Sequence, residues 1–320
     1  MNLFISFLLL IFGLILLIKG ADYLVNGASS LAKKMSVTDI SIGLTVVAFG
    51  TSAPELIVNI FASFQGNTDI VLGNIIGSNI FNILLILGIS GIIYPLRTLK
   101  NTVWKEIPFS LIAVIALFLL CNDAQFSNQN NSLTRNDGII MLIFFIIFLV
   151  YVFGIAKVEI SDTPEIRILL SGRKTVFFIA LGFVGLIAGG KIVISSAVNI
   201  ARIYGVSQRI IGITMVAAGT SLPELFTSAI AAYKGKTDIA IGNVIGSNIF
   251  NIFFVLGIST VIKPLTFREK FNFDIYVLIA ASTILFFTMF TGKKRSLDRW
   301  EAAFFVLLYI IYVVFIILSN

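Results

Sequence analysis

Apolar stretches of roughly 17–25 residues, the length that crosses a bilayer core, recur along nearly the whole 320-residue chain. They read as ten spans: 3–32, 40–64, 70–93, 106–121 and 136–154, then 174–200, 209–233, 239–262, 272–290 and 298–318. A chain of this size cannot bury ten all-apolar helices in a water-soluble core, and no soluble body is left once they are removed. Only 12% of the residues are charged, against about 25% in an ordinary soluble domain. The fold class expected is an all-α membrane protein, since helices satisfy their own backbone hydrogen bonds in lipid.

The remaining composition narrows the chemistry. Phe4 to Ile18 has no basic segment before it and runs on into the helical pattern, so it reads as a first transmembrane helix rather than a cleaved signal. Cys121 is the single cysteine, which excludes internal disulfides and thiolate metal sites. Histidine is absent, removing the usual neutral-pH proton carrier. The net charge of +7 fits basic loops on one membrane face better than a nucleic-acid surface. No cofactor is expected.

The chain is duplicated. Gly50-Thr-Ser-Ala-Pro-Glu-Leu56 returns as Gly219-Thr-Ser-Leu-Pro-Glu-Leu225, and Gly73-Asn-Ile-Ile-Gly-Ser-Asn-Ile-Phe-Asn-Ile83 returns as Gly242-Asn-Val-Ile-Gly-Ser-Asn-Ile-Phe-Asn-Ile252. Both blocks recur at an offset of 169 residues. Five spans per half is an odd number, so the second half enters the membrane in the opposite sense, giving two inverted five-helix repeats. The divisions expected are 1–155, a linker at 156–173, and 174–320. Odd-numbered loops carry 15 basic residues, and even-numbered loops with the N-terminal tail carry 6. The positive-inside rule then places the inter-repeat loop in the cytoplasm and both termini outside a plasma membrane.

Glu55 and Glu224 lie well inside the second span of each half. An ionised carboxylate at that depth costs several kcal/mol unless it faces a cavity, a counter-charge or a bound cation. Thr51 and Glu55 share a helical face, as do Thr220 and Glu224. Ser52 and Ser221 add hydroxyls, while Pro54 and Pro223 free the carbonyls of Gly50 and Gly219. This all-oxygen set suits Na⁺ or Ca²⁺. In the third span, Ser78 with Asn82 and Ser247 with Asn251 are expected to line a cavity. Asn79 and Asn248 point elsewhere, and Asn74 and Asn243 stay undecided. The glycine pairs Gly73/Gly77 and Gly242/Gly246 read as close-packing stripes.

These blocks resemble the α-repeats of the sodium/calcium exchanger branch of the calcium/cation antiporter superfamily, over essentially the whole chain, and look closest to its short prokaryotic members. The resemblance implies Na⁺/Ca²⁺ antiport by alternating access, with Na⁺ and Ca²⁺ as substrates, no enzymatic reaction and a functional monomer. It implies a central site of Glu55 and Glu224 with the backbone oxygens of Thr51 and Thr220. Flanking sodium sites would use Ser52, Ser221, Ser78, Ser247 and the carbonyls of Ala48 and Ala217. Asn82 and Asn251 fill the remaining polar positions, where well-characterised sodium/calcium members usually carry one Asp and potassium-dependent ones two. That departure argues against potassium dependence. An H⁺/Ca²⁺ or other divalent-cation antiporter is the alternative.

Overall fold

In hydrocarbon every backbone N–H and C=O must be paired within the segment, and among the described residues the apolar runs are helical. The computed structural model describes residues 3–122, 131–155, 170–204, 217–292 and 295–319. The first half runs α1 Leu3–Met35, α2 Asp39–Thr51, α3 Ala53–Gln65, α4 Thr68–Ile93, α5 Thr102–Cys121 and α6 Arg135–Ile155. The second runs α7 Gly172–Ile203, α8 Ala217–Thr220, α9 Leu222–Tyr233, α10 Thr237–Ile262, α11 Phe271–Thr288 and α12 Arg299–Ser319.

Among the described residues eight helices are long and apolar enough to cross a membrane, and the bent pair α2–α3 makes a ninth. Residues 209–216 of the expected span 209–233 and 156–169 of the linker 156–173 lie outside the described residues. Where the helices are described, their ends fall within a few residues of the sequence reading.

The helices sort into centre and periphery. In α4 and α10, 72% and 78% of the apolar window is buried, against 17–39% in the other long helices. Their residues Leu72, Ile75, Val244 and Ile249 are fully buried, while α1, α7 and α12 present apolar side chains to lipid. The sequence left open whether the long first spans are tilted or broken. Both α1 and α7 are continuous, and 33 and 32 residues extend about 50 Å at roughly 1.5 Å per residue. That exceeds a hydrocarbon core of about 30 Å, so they cross at a tilt. They pack on each other through glycines. A Cβ on Gly20 would stand 2.8 Å from the Leu186 nitrogen, and one on Gly189 would stand 2.9 Å from the Gly13 oxygen. The stripe expected at Gly242 and Gly246 packs likewise on α2, with a Gly246 Cβ only 2.6 Å from the Leu44 oxygen. The one expected at Gly73 and Gly77 is not close-packed among the described residues: a Gly73 Cβ would stand 3.8 Å from the Phe271 ring, and one on Gly77 would meet nothing within 4 Å.

Local detail repeats at the same offset as the sequence. Gly66 (φ 73°) ends α3 and Gly235 (φ 69°) follows α9, each in the left-handed region open to glycine. Phe81–Ile86 in α4 and Phe250–Leu256 in α10 are π-helical, and such widened turns gather at functional sites.

Loop contacts also follow a rule. β1 (Leu96–Arg97) pairs antiparallel with β4 (Ser296–Leu297), and β2 (Ser132–Leu133) pairs with β3 (Leu265–Thr266). With loops numbered between the ten spans read from the sequence, the first pair joins loops three and nine, the second loops four and eight. Asp69 of loop two meets Arg268 and Lys270 of loop eight, both at 2.8 Å. Lys236 of loop seven lies 3.8 Å from Asp39 at the end of loop one, and Thr237 donates to the Arg97 oxygen of loop three at 2.7 Å. Odd loops meet odd loops, and even loops meet even loops.

Candidate cation-binding site

Both glutamates sit where a helix restarts. Ser52 (φ −83°, ψ 7°) ends α2, donating its N–H to the Ala48 oxygen at 3.0 Å and accepting from Leu56 N–H at 3.1 Å. Pro54 occupies the first turn of α3, where an N–H would lack an intrahelical partner in any case. The helix axes bend by 48° across this break. Ser221 (φ −89°, ψ 7°) and Pro223 repeat the arrangement at the start of α9. Glu55 and Glu224 therefore lie in the first turns of α3 and α9, where the helix dipole favours negative charge.

The two halves cross-bond. Ser52 Oγ donates to Glu224 Oε1 at 2.8 Å, and Ser221 Oγ donates to Glu55 Oε1 at 3.0 Å. Glu55 is 0% exposed and Glu224 1%. Thr51 Oγ1 donates to Asn243 Oδ1 at 3.0 Å, and reciprocally Asn74 Nδ2 donates to Thr220 Oγ1 at 3.4 Å. Behind them Asn243 Nδ2 donates to Ser228 Oγ at 2.9 Å, while Asn59 Nδ2 donates to Asn74 Oδ1 at 2.9 Å and to the Glu55 carbonyl at 2.7 Å. On the next layer Asn82 Nδ2 donates to Asn248 Oδ1 at 2.9 Å. Asn251 Nδ2 donates to Ser78 Oγ at 3.2 Å and to Asn79 Oδ1 at 3.4 Å.

What this network leaves over decides its chemistry. Glu55 Oε2, Glu224 Oε2, Asn82 Oδ1, Asn251 Oδ1, Ser247 Oγ and Asn59 Oδ1 are buried with no hydrogen-bond partner among the described residues. Asn79 Nδ2 is the one nitrogen of the network in that state. Buried polar atoms are normally paired, and a buried carboxylate is costly without compensation. No ion pair among the described residues reaches either glutamate. Oxygens of carboxylate, amide and hydroxyl type, with no ion pair to a protein cation among the described residues, are the donor types a hard cation takes. The described residues hold no group of three or more acidic, histidine or cysteine ligands. A separate cavity near Leu96, Ile107, Ile245 and Leu297 is lined wholly by apolar side chains and offers no ligand.

The structure thus brings together Glu55, Glu224, Ser52 and Ser221 directly, with Thr51 and Thr220 held through asparagines. Asn82 and Asn251 each bond across to the opposite half on the second layer, Asn251 to Ser78 among others, and Ser247 is buried with its Oγ unpartnered among the described residues. The Ala48 oxygen already accepts from Ser52 N–H and from Thr51 Oγ1, the latter at 3.3 Å. Ala217 opens α8.

One expectation is corrected: Asn79 and Asn248 do not point away but bond Asn251 and Asn82 of the opposite half. At about 100° per residue, position 82 projects between 78 and 79 around the helix axis, so Asn82 carries both neighbours toward the crossing helix. Asn74 and Asn243, undecided from sequence, belong to the network. Asn59 and Ser228 were missed. Their signal was present, since each follows its glutamate by one helical turn on the same face.

A family model described as sodium/calcium exchanger protein matches residues 5–154 and 174–318. The chain is 36% identical to the putative antiporter CaxA of Alkalimonas amylolytica over 88% of this chain and 89% of that protein. It is 33% identical to the sodium/calcium exchanger MaX1 of Methanosarcina acetivorans over 97% of this chain and 98% of that one. A solved structure of the sodium-calcium exchanger NCX_Mj, soaked with Na⁺ and Sr²⁺, superposes with a TM-score of 0.84 at 33% identity, covering 98% of this chain and 99% of that chain.

Proposed function

The chain belongs to the sodium/calcium exchanger protein family, and from that premise we propose that it is a secondary antiporter exchanging Na⁺ for Ca²⁺ by alternating access. The observation that carries this reading is the file of unpartnered buried oxygens around the cross-bonded Glu55 and Glu224. Ca²⁺ takes six to eight oxygens in flexible geometry, and Na⁺ accepts the same donor types at lower charge. The two ions compete for one pair of carboxylates, so occupancy by one drives release of the other.

In this reading Glu55 and Glu224 hold the central cation with the backbone oxygens of Thr51 and Thr220. Ser52, Ser221, Ser78, Ser247 and the carbonyls of Ala48 and Ala217 complete flanking Na⁺ sites, and Asn82 and Asn251 supply neutral oxygens. The long pair α1–α7 lies against the broken helices, with Phe183 on Gly50 and Ile194 on Gly219. A shift of that pair across the core would expose the site alternately to either side.

The membrane arrangement is part of the proposal: ten spans in two inverted repeats, 1–155 and 174–320, joined by the 156–173 linker. The pairing of odd loops with odd and even with even supports it, because loops on one membrane face can meet only each other. The excess of basic residues in odd loops puts that face and the linker in the cytoplasm of a plasma-membrane protein, with both termini outside. A single chain contains both glutamates and serves as the transporting unit. It carries out no covalent chemistry and needs no cofactor.

The test is ⁴⁵Ca²⁺ uptake into everted vesicles or proteoliposomes. An outward-directed Na⁺ gradient should drive uptake, and collapsing that gradient should abolish it. Uptake that ignores Na⁺ and follows a pH gradient would replace this reading with H⁺/Ca²⁺ antiport.

A further inference from the structure

Hydroxyl groups in helices ordinarily return a hydrogen bond to the carbonyl one turn back, and in this protein many do. Thr45 bonds the Ser41 oxygen at 2.6 Å, Ser282 the Leu278 oxygen at 2.8 Å, and Thr260 the Leu256 oxygen at 2.8 Å. Ser259, immediately before Thr260 on α10, does not; its Oγ is fully buried with no partner among the described residues. Ser63 on α3 is the same.

Their positions are related. Glu55, Asn59 and Ser63 follow one another at intervals of one turn along α3, all 0% exposed, and α3 packs against the end of α10 that carries Ser259. Ser63 lies just before Gly66, and Ser259 just before Lys263. Those helix ends meet, since a Cβ on Gly66 would stand 2.5 Å from Lys263 Nζ. Glu55 Oε2, Asn59 Oδ1, Ser63 Oγ and Ser259 Oγ are four free oxygens, spread over about 12 Å of helix from Glu55 to Ser63. That is most of the distance from mid-bilayer to one interface. Ser90, in place of Ser259, is likewise buried with no partner among the described residues, but the equivalent stretch of α9 is interrupted. Ala232 stands in place of Ser63, and Ser228, in place of Asn59, donates its hydroxyl to the Ala240 oxygen at 3.4 Å.

We propose that Asn59, Ser63 and Ser259 form the route by which a partly dehydrated cation passes between Glu55 and the membrane face carrying the even-numbered loops. The assignment rests on the exchanger reading above. Hydroxyl and amide oxygens replace water along the path without trapping the ion as a carboxylate would. In the conformation seen here the route is closed to solvent, and it opens when the face opens.

The test uses the full-length protein with Cys121→Ala, which leaves no cysteine, and then Ser63→Cys or Ser259→Cys. A membrane-impermeant thiosulfonate is applied to either face of intact cells and everted vesicles, with Ala232→Cys as control. Ser63→Cys and Ser259→Cys should react from the even-loop face only, at least about tenfold more slowly in saturating Ca²⁺, which favours the closed population. Ala232→Cys should not react from that face. If both cysteines stay inert from that face in protein that still transports Ca²⁺, or react at rates indifferent to Ca²⁺, the route is wrong. Ser63→Val in the natural background is the second reading. It should slow Ca²⁺ uptake about fivefold while equilibrium ⁴⁵Ca²⁺ binding to the purified protein is unchanged; unchanged uptake would overturn the proposal. If labelling is one-sided and Ca²⁺-protected but transport ignores Na⁺, the exchanger reading fails and the route stands.

Discussion

The two halves agree around the paired glutamates and diverge one turn away from them. Glu55 and Glu224, Ser52 and Ser221, Pro54 and Pro223 superimpose in role: each serine bonds the opposite glutamate, and each glutamate starts a helix. One turn away the match fades. Asn59 stands where the second half has Ser228, Ser63 where it has Ala232, and Ser78 accepts from Asn251 while its equivalent Ser247 Oγ has no partner among the described residues. A buried carboxylate tolerates few surroundings, so both copies hold the same ones. The flanks need only pass an ion, and there the copies differ, which gives a symmetric site two unlike approaches.

That comparison can be broken most severely at its centre. Glu55→Gln and Glu224→Gln should each reduce Na⁺-driven Ca²⁺ uptake by on the order of 100-fold or more, as expected when a charged ligand is removed. The two losses should be similar; a tenfold inequality would mean that the carboxylates are not equivalent. Ser52→Ala and Ser221→Ala each remove a hydrogen bond to a carboxylate worth about 1.5–3 kcal/mol. Ca²⁺ affinity, read by equilibrium ⁴⁵Ca²⁺ binding, should fall about tenfold or somewhat more in both.

The asparagines sharpen the comparison in the other direction. Asn251→Asp or Asn82→Asp adds a third carboxylate to one half only, and should tighten Ca²⁺ binding by about tenfold while changing the charge moved per cycle in reconstituted membranes. Outside the site, Tyr151 donates to Glu106 at 2.6 Å and Tyr312 donates to Asp274 at 2.9 Å, tying α6 to α5 and α12 to α11. Tyr151→Phe and Tyr312→Phe should each lower thermal stability in detergent by about 1–2 kcal/mol without altering ion affinity. The smallest effect is expected at the surface. Asp69→Asn breaks the contacts to Arg268 and Lys270 but should cost under about 1 kcal/mol in the same thermal assay, since exposed ion pairs contribute little.

Much of the protein was legible without coordinates because its constraints are local. Hydrocarbon forces any apolar run of sufficient length into a helix, so the spans could be read by counting. The break at Ser52 and Pro54 was legible because proline lacks an N–H wherever it stands. Glu55 and Glu224 stood out because a carboxylate deep in an apolar span requires a reason, and the offset of 169 residues made them partners. Sequence spacing failed at Asn79 and Asn248, which a single-helix projection turned away from the site. It also passed over Asn59 and Ser228, ordinary polar residues until their neighbours are known.

The chain by itself therefore determined the membrane-spanning helices, the duplication and the acidic pair, since each follows from the energetics of one segment in lipid. Only the tertiary structure decided that the serines bond across to the opposite glutamates, that Asn82 meets Asn248 and Asn251 meets Asn79, and which oxygens remain free. Those outcomes depend on how two helices cross, and a crossing is fixed by packing between segments far apart in sequence. The glutamates could be found by reading along the chain; the set of oxygens on which the proposed cation site rests exists only between its halves.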